Sequence, residues 1–222
     1  MIHPGKRRAL LLSLGSAASL LIALVVGLSS CGSSGEAITA NEASQQLILG
    51  LSDLPPGSKR ADKPLAGERC SPASHFRKYA QSVLSAPGFY LPQDQLLQQV
   101  GIFRKPSEAA EASRKVLSAQ ARRCIEGEMQ ATSVKLTGSG GTITFKRLGD
   151  PALVGVTAKA FQLHFSHPFG ELNFQQAVMV DDRALTTLTF ISENHSLAPN
   201  VWQGVMESTA ASLGTASSGL GA

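Results

Sequence analysis

From Phe161 to Ile191 the large apolar residues recur at every second position, and this change of period constrains the fold more than any other feature of the chain. Phe161, Leu163 and Phe165 alternate with Gln162 and His164. After His167-Pro168-Phe169-Gly170, the residues Leu172, Phe174, Val178 and Val180 alternate with Asn173 and Gln175. The Asp181-Asp182-Arg183 turn then leads into Ala184 through Ile191, with Leu188 and Phe190 in phase. A period of two marks strands, and turns this short join antiparallel neighbours. The expectation is a three-strand meander with one dry and one wetter face.

The remaining elements read as follows. Ser133 to Leu136 and Thr142 to Leu148 flank Gly138-Ser139-Gly140-Gly141 and suggest a further hairpin. Helical spacing predicts a short helix over Asn41 to Gly50, closed by Ser52-Asp53-Leu54-Pro55-Pro56-Gly57. A second helix is expected to start at Ser71 as N-cap with Pro72 at N1, carrying Phe76, Tyr79, Ala80 and Val83. Leu96 to Phe103 reads as a strand. Pro106 to Glu126 reads as one helix with Ala110, Ser113, Leu117, Ala121 and Cys124 facing inward. A last helix, Pro199 to Leu213, offers Val201, Trp202, Val205, Met206 and Ala210 to the dry face. The class is α+β, an antiparallel sheet packed by helices.

The N-terminus addresses location. Lys6, Arg7 and Arg8 precede an almost wholly apolar run from Ala9 to Val26, the charge and length pattern of an export signal. The run is nearly long enough to span a bilayer, so an uncleaved anchor is the rival reading. Leu28-Ser29-Ser30-Cys31 resembles a bacterial lipobox, in which small residues before the cysteine fit a peptidase and the thiol takes a diacylglycerol as a thioether. Two or more acyl chains then give stable anchoring. The expected organisation is a signal peptide over 1–30, a tether over 31–40, one domain over 41–213 and a disordered tail over 214–222. The tether's reach is about 17 Å.

Removing the signal changes the charge. The chain has 20 Lys and Arg against 16 Asp and Glu, and three of the bases precede Cys31, leaving 17 against 16. No electrostatic footprint for nucleic acid remains. With Cys31 lipidated, Cys70 and Cys124 are left over, and an exported domain with one remaining pair invites a disulfide. Two free buried thiols, or metal ligation, are the alternatives.

The helix leading into Ser52-Asp53-Leu54-Pro55-Pro56-Gly57, the strand before an Ala-rich helix ending in Cys124, and the closing hairpin and helix together resemble the actinobacterial sensor-domain lipoproteins. That group is related to the extracellular domain of the PknH-type serine/threonine kinases. The resemblance implies a disulfide-stapled antiparallel sheet with helices and a cleft for a ligand. This chain departs from the pattern in carrying Ser58 where Trp commonly follows Pro-Pro-Gly, and in having cysteines for one disulfide rather than two.

Catalytic and metal constellations are not assembled in the sequence. Gly138 to Gly141 opens no helix and lacks a Gly-Lys-Ser/Thr completion, and no Gly-x-Ser-x-Gly elbow occurs. His164 and His167 are three apart but fall on a strand and in a turn, a poor metal arrangement. Asp181 and Asp182 read as solvated turn acids. No cofactor and no enzymatic activity are expected. The one site expectation is the wetter sheet face, where Gln162, His164, Asn173, Gln175, Thr187 and Thr189 offer amide, imidazole and hydroxyl groups to a polar, neutral ligand such as a glycan or cell-wall fragment. The functional expectation is an extracytoplasmic lipoprotein anchored to the cell membrane, with a non-catalytic sensor or binding domain. The alternative is an envelope structural or interaction lipoprotein that engages another protein.

Overall fold

Helix α1 (Ala40–Gln46) begins where Thr39 forms a capping box: its hydroxyl accepts from the Glu42 amide, and the Glu42 carboxylate accepts from the Thr39 amide at 2.8 Å. The computed structural model describes residues 37–61, 70, 76–168, 170–195 and 198–220. The expected signal, Cys31 and most of the tether lie outside these residues. A 3₁₀ turn (Leu51–Asp53) follows α1, then four strands: β1 (Lys59–Arg60), β2 (Ser82–Ser85), β3 (Phe89–Tyr90) and β4 (Asp94–Ile102). Helices α2 (Pro106–Val116) and α3 (Ala119–Thr137) come next. They precede β5 (Thr142–Arg147), β6 (Thr157–His167), β7 (Gly170–Asp181) and β8 (Ala184–Glu193), and the chain closes with α4 (Pro199–Gly219).

The strands form one antiparallel sheet in the order β1-β3-β4-β8-β7-β6-β5, with β2 also paired to β4. The expected meander is present as β6-β7-β8, and β5 extends it. Strand β4 joins this meander to the N-terminal strands through nine paired positions, Asp94 opposite Ser192 to Ile102 opposite Ala184. The fold is therefore α+β, as expected.

Helices cover both faces. On one, α1 and α4 bury Ala43, Leu47, Val205, Met206, Leu213 and Ala216 against Leu96, Val100, Leu188, Phe190 and Met179. Ala160 lies directly opposite Ala177 in the register, and small residues there let α4 approach the sheet closely. On the other face, α2 packs Ala109, Ala112 and Val116 with Phe76, Phe103, Val178 and Leu185. A neighbouring cluster joins Ile125 of α3 to Phe161, Leu163 and Cys70. Gly101 lets the Phe76 and Phe103 rings close onto β4, because a Cβ there would stand 3.0 Å from the first and 3.1 Å from the second and would push on both. The Cys70–Cys124 disulfide is formed, with Cα atoms 5.6 Å apart.

Several expectations are corrected. The helix proposed from Ser71 does not reach Val83: after a turn at Phe76–Tyr79, Ser82–Ser85 is a strand paired to β4 from Ile102 to Gln99, so sheet pairing overrides local periodicity. Residues 71–75 lie outside the described set. The helix expected from Pro106 to Glu126 is two helices, broken where the Ser118 hydroxyl caps the second by accepting from the Ala121 amide. The buried face is Ala109, Ala112 and Val116 on the first and Ala121 and Ile125 on the second; of the residues expected inward, Ala121 is buried, Ser113 and Leu117 are half-buried, and Ala110 and Cys124 are exposed. Ser133 to Leu136 belongs to α3, and Gly138, at φ +79°, ends that helix as a left-handed cap instead of turning a hairpin. Finally, α4 runs six residues past Leu213. Ala216 and Leu220 are buried, the Ser217 hydroxyl donates to the Asp181 carbonyl, and the Ile38 amide donates to the Gly219 carbonyl, so 214–219 is packed helix rather than a disordered tail. The same bond orders the end of the expected tether.

Two predictions follow from this packing. Breaking the 54-residue disulfide loop with Cys70→Ser is expected to destabilise the domain by about 4 kcal/mol in the chain-entropy model, read as a shifted denaturant midpoint. Gln98 is buried on β4, accepts from the Leu49 amide at 2.9 Å and donates to the Leu47 carbonyl at 2.7 Å, stitching the end of α1 to the sheet. Gln98→Leu strands both backbone groups and is expected to cost about 2–4 kcal/mol in urea unfolding.

Candidate functional site

Hairpin register decides which side chains share a face. His167 lies opposite Gly170, which places even-numbered residues of β6 with odd-numbered residues of β7. Gln162 is therefore opposite Gln175, and His164 opposite Asn173, on the α1/α4 side. In the next hairpin Asp181 lies opposite Ala184, so odd positions of β7 share a face with even positions of β8. Leu188 and Phe190 consequently join the α4 side. Thr187 and Thr189 fall on the opposite face, against Val178 and Gln176, and both are buried. The expected six-residue polar face is thus split, with four members together and the two threonines behind the sheet. The sheet also lacks the expected single dry face, because apolar residues cover β8 from both sides.

The four remaining side chains form the polar end of the α4-side face, beyond the first turn of α4. Trp202 of that turn packs edge-on against Phe190, with ring centroids 5.1 Å apart, and Phe190 neighbours Gln175 in the register. Gln162, His164 and Gln175 are half-buried, whereas Asn173 is 4% exposed. Toward the sheet edge the surface continues as Thr144 and Lys146 of β5, opposite His164 and Gln162, and both are exposed.

A chain of hydrogen bonds organises this end. Gln162 Nε2 donates to Asn173 Oδ1 at 3.0 Å, and Asn173 Nδ2 donates to the His195 carbonyl at 2.6 Å. The His195 ring lies with Nδ1 2.6 Å from the Glu193 carbonyl and Nε2 2.8 Å from Asp94 Oδ1. The Gln175 Oε1 atom is buried without a hydrogen-bond partner. His164 Nε2 also has none, the Glu171 carboxylate standing 3.6 Å away. Amides and an imidazole here offer hydrogen-bond donors and acceptors, with the Glu171 carboxylate and Lys146 at the margin of the face.

The other candidates separate. His164 and His167 lie on opposite faces of β6 by their spacing. His167 Nε2 sits 2.9 Å from Ser139 Oγ and 3.0 Å from Thr137 Oγ1, tying the end of α3 to the sheet. Asp182 occupies the β7–β8 turn at φ +46° and stands 3.5 Å from Arg183. Among the described residues no group of three or more His, Cys, Asp or Glu side chains is placed to hold a metal ion. Asp94 and His195, central to the polar network, went unread in the sequence, because a contact across 101 residues leaves no local pattern.

Replacing Asn173 with Ala removes the partner of both Gln162 Nε2 and the His195 carbonyl. It is expected to destabilise the domain by about 1–3 kcal/mol, while Thr144→Ala, exposed on the edge strand β5, leaves the urea midpoint within error.

No family model matches the chain, and no curated protein matches it in sequence. Among solved structures the fold is similar to the extracellular domain of PknH from Mycobacterium tuberculosis, with a TM-score of 0.51 at 11% identity over 82% of this chain and 99% of that one. Weaker likenesses are a putative uncharacterized Mycobacterium smegmatis protein (TM-score 0.41, 11% identity, 80% of this chain and 97% of that one) and LpqN of Mycobacterium tuberculosis, involved in cell envelope biogenesis (0.32, 11%, 72% and 76%). The described residues share the α+β fold of the PknH extracellular domain.

Proposed function

We propose that this chain is an extracytoplasmic lipoprotein, anchored to the cell membrane through Cys31, whose α+β domain is a non-catalytic module that binds a polar, neutral envelope ligand. The observation that carries the location is Leu28-Ser29-Ser30-Cys31 directly after a basic and apolar leader. Two further features support it: a formed disulfide, the bond expected of an exported domain, and a fold like that of an extracellular domain. The ligand face is the amide end of the sheet, reduced to Gln162, His164, Asn173 and Gln175.

Intact mass of the chain purified from bacterial membranes without reductant tests the anchor. The expected mass lacks residues 1–30, carries added acyl chains and is two hydrogens short, and a Cys31→Ala variant loses the acyl mass. An uncleaved, unacylated chain overturns the anchor. For the ligand face, thermal stabilisation by soluble cell-wall glycan fragments is expected to fall at least several-fold in Gln162→Ala and Gln175→Ala and to persist in Thr187→Val, on the far face. Equal stabilisation in all of them removes the site.

A further inference from the structure

We propose that His195 is a protonation-dependent latch, which holds the residues just after β8, Asn194 and His195 themselves, and with them the Gln162–Asn173 amide pair, when both of its ring nitrogens carry hydrogen. Both partners of the ring are acceptors. The Glu193 carbonyl faces Nδ1 at 2.6 Å, and Asp94 Oδ1 faces Nε2 at 2.8 Å. A carbonyl and an ionised carboxylate have no proton to give, so a neutral imidazole, with one N–H, satisfies one of them, and the doubly protonated ring satisfies both. The second bond is then charge-assisted and spans 101 residues, from the start of β4 to the end of β8. The Asp94 side chain is 10% exposed and that of His195 32%, so the carboxylate is sheltered while one side of the ring meets solvent.

The latch acts on the amide row through the backbone. The carbonyl of His195 itself accepts from Asn173 Nδ2, and Asn173 Oδ1 accepts from Gln162 Nε2. The neighbouring residue Asn194, at φ +58°, also has its side-chain oxygen tied down, by the Glu171 amide at 2.9 Å. Charged and titratable groups on the surrounding elements are Asp94 on β4, Glu193 on β8, Glu171 on β7 and His164 on β6, the last two 3.6 Å apart, with Lys146 at the edge on β5. The first turn of α4, Pro199 to Trp202, carries no charged side chain. Asp94 is therefore the carboxylate that decides the bond to the ring. A contact that needs hydrogen on both ring nitrogens is made by the protonated ring and is lost when the ring gives up one of its protons. The polar end of the sheet is then ordered in mildly acidic surroundings and loosened in alkaline ones.

The proposal deepens the ligand-face reading but does not need it, and its test uses no ligand. In the full chain held in detergent, ring nitrogen NMR at pH 5.5 is expected to show hydrogen on both nitrogens of His195. Over pH 5.5 to 8 the melting temperature of the wild type is expected to fall by about 2–4 °C more than that of His195→Gln or Asp94→Asn. Asp94→Asn keeps an uncharged acceptor for a neutral ring, so it reports on the charge even if His195→Gln folds poorly. A bare ring nitrogen at pH 5.5, or equal pH slopes in the wild type and Asp94→Asn, overturns the latch. Either result leaves the anchor and the ligand face to stand or fall on their own tests.

Discussion

The pairing of β4 with β8 is the constraint on which the rest of this structure depends. It brings together segments about ninety residues apart, seats the short strands β1, β2 and β3 beside the meander, and makes β8 a central strand. Such a contact repays its loop-closure entropy only when many groups are ordered together. Nine paired positions and the helices on either face supply that cooperation. The disulfide contributes from a different side, by limiting the unfolded chain between Cys70 and Cys124.

Centrality explains the composition of β8. Every residue from Ala184 to Phe190 is buried, including Thr186, Thr187 and Thr189. Threonine suits a strand covered on both sides, because its branched Cβ packs on the pleat and its hydroxyl finds a nearby partner. Thr189 Oγ1 accepts from Gln176 Nε2 at 3.1 Å, and Thr186 Oγ1 donates to the Gln99 carbonyl. These hydroxyls mark a satisfied interior rather than a wetted surface. Polar residues at alternate positions can thus belong to either setting, and only the layers above and below distinguish them.

At the other end of the sheet the polar groups form a connected chain from Gln162 through Asn173 and His195 to Asp94. The chain links four places distant in sequence: β6, β7, the segment after β8, and the start of β4. Its members are sheltered but not sealed, and the first turn of α4 ends over Phe190 beside them. This combination of fixed amides and a partly open surface distinguishes the proposed ligand face from the packed interior.

Much of the architecture was legible locally. The meander, the α+β class, the strand that became β4 and the pairing of Cys70 with Cys124 all rest on patterns of period, turn chemistry or residue count that short stretches carry by themselves. Legibility failed where distant contacts won. Ser82–Ser85 became a strand because β4 offered it partners, α3 ran through an expected strand to the glycine at 138, and α4 continued past Leu213 because Arg183 and Asp181 hold its end, Arg183 Nη2 donating to the Leu220 carbonyl at 2.7 Å. The candidate face was half legible. Gln162, His164, Asn173 and Gln175 were grouped correctly because one hairpin relates them, whereas Thr187 and Thr189 were misplaced because the next two-residue turn changes which positions share a face. The sequence by itself determined the local periods, the turns and the signals written in contiguous residues. Only the tertiary structure decided register, layering and the Asp94–His195 contact, since each depends on which distant segments meet.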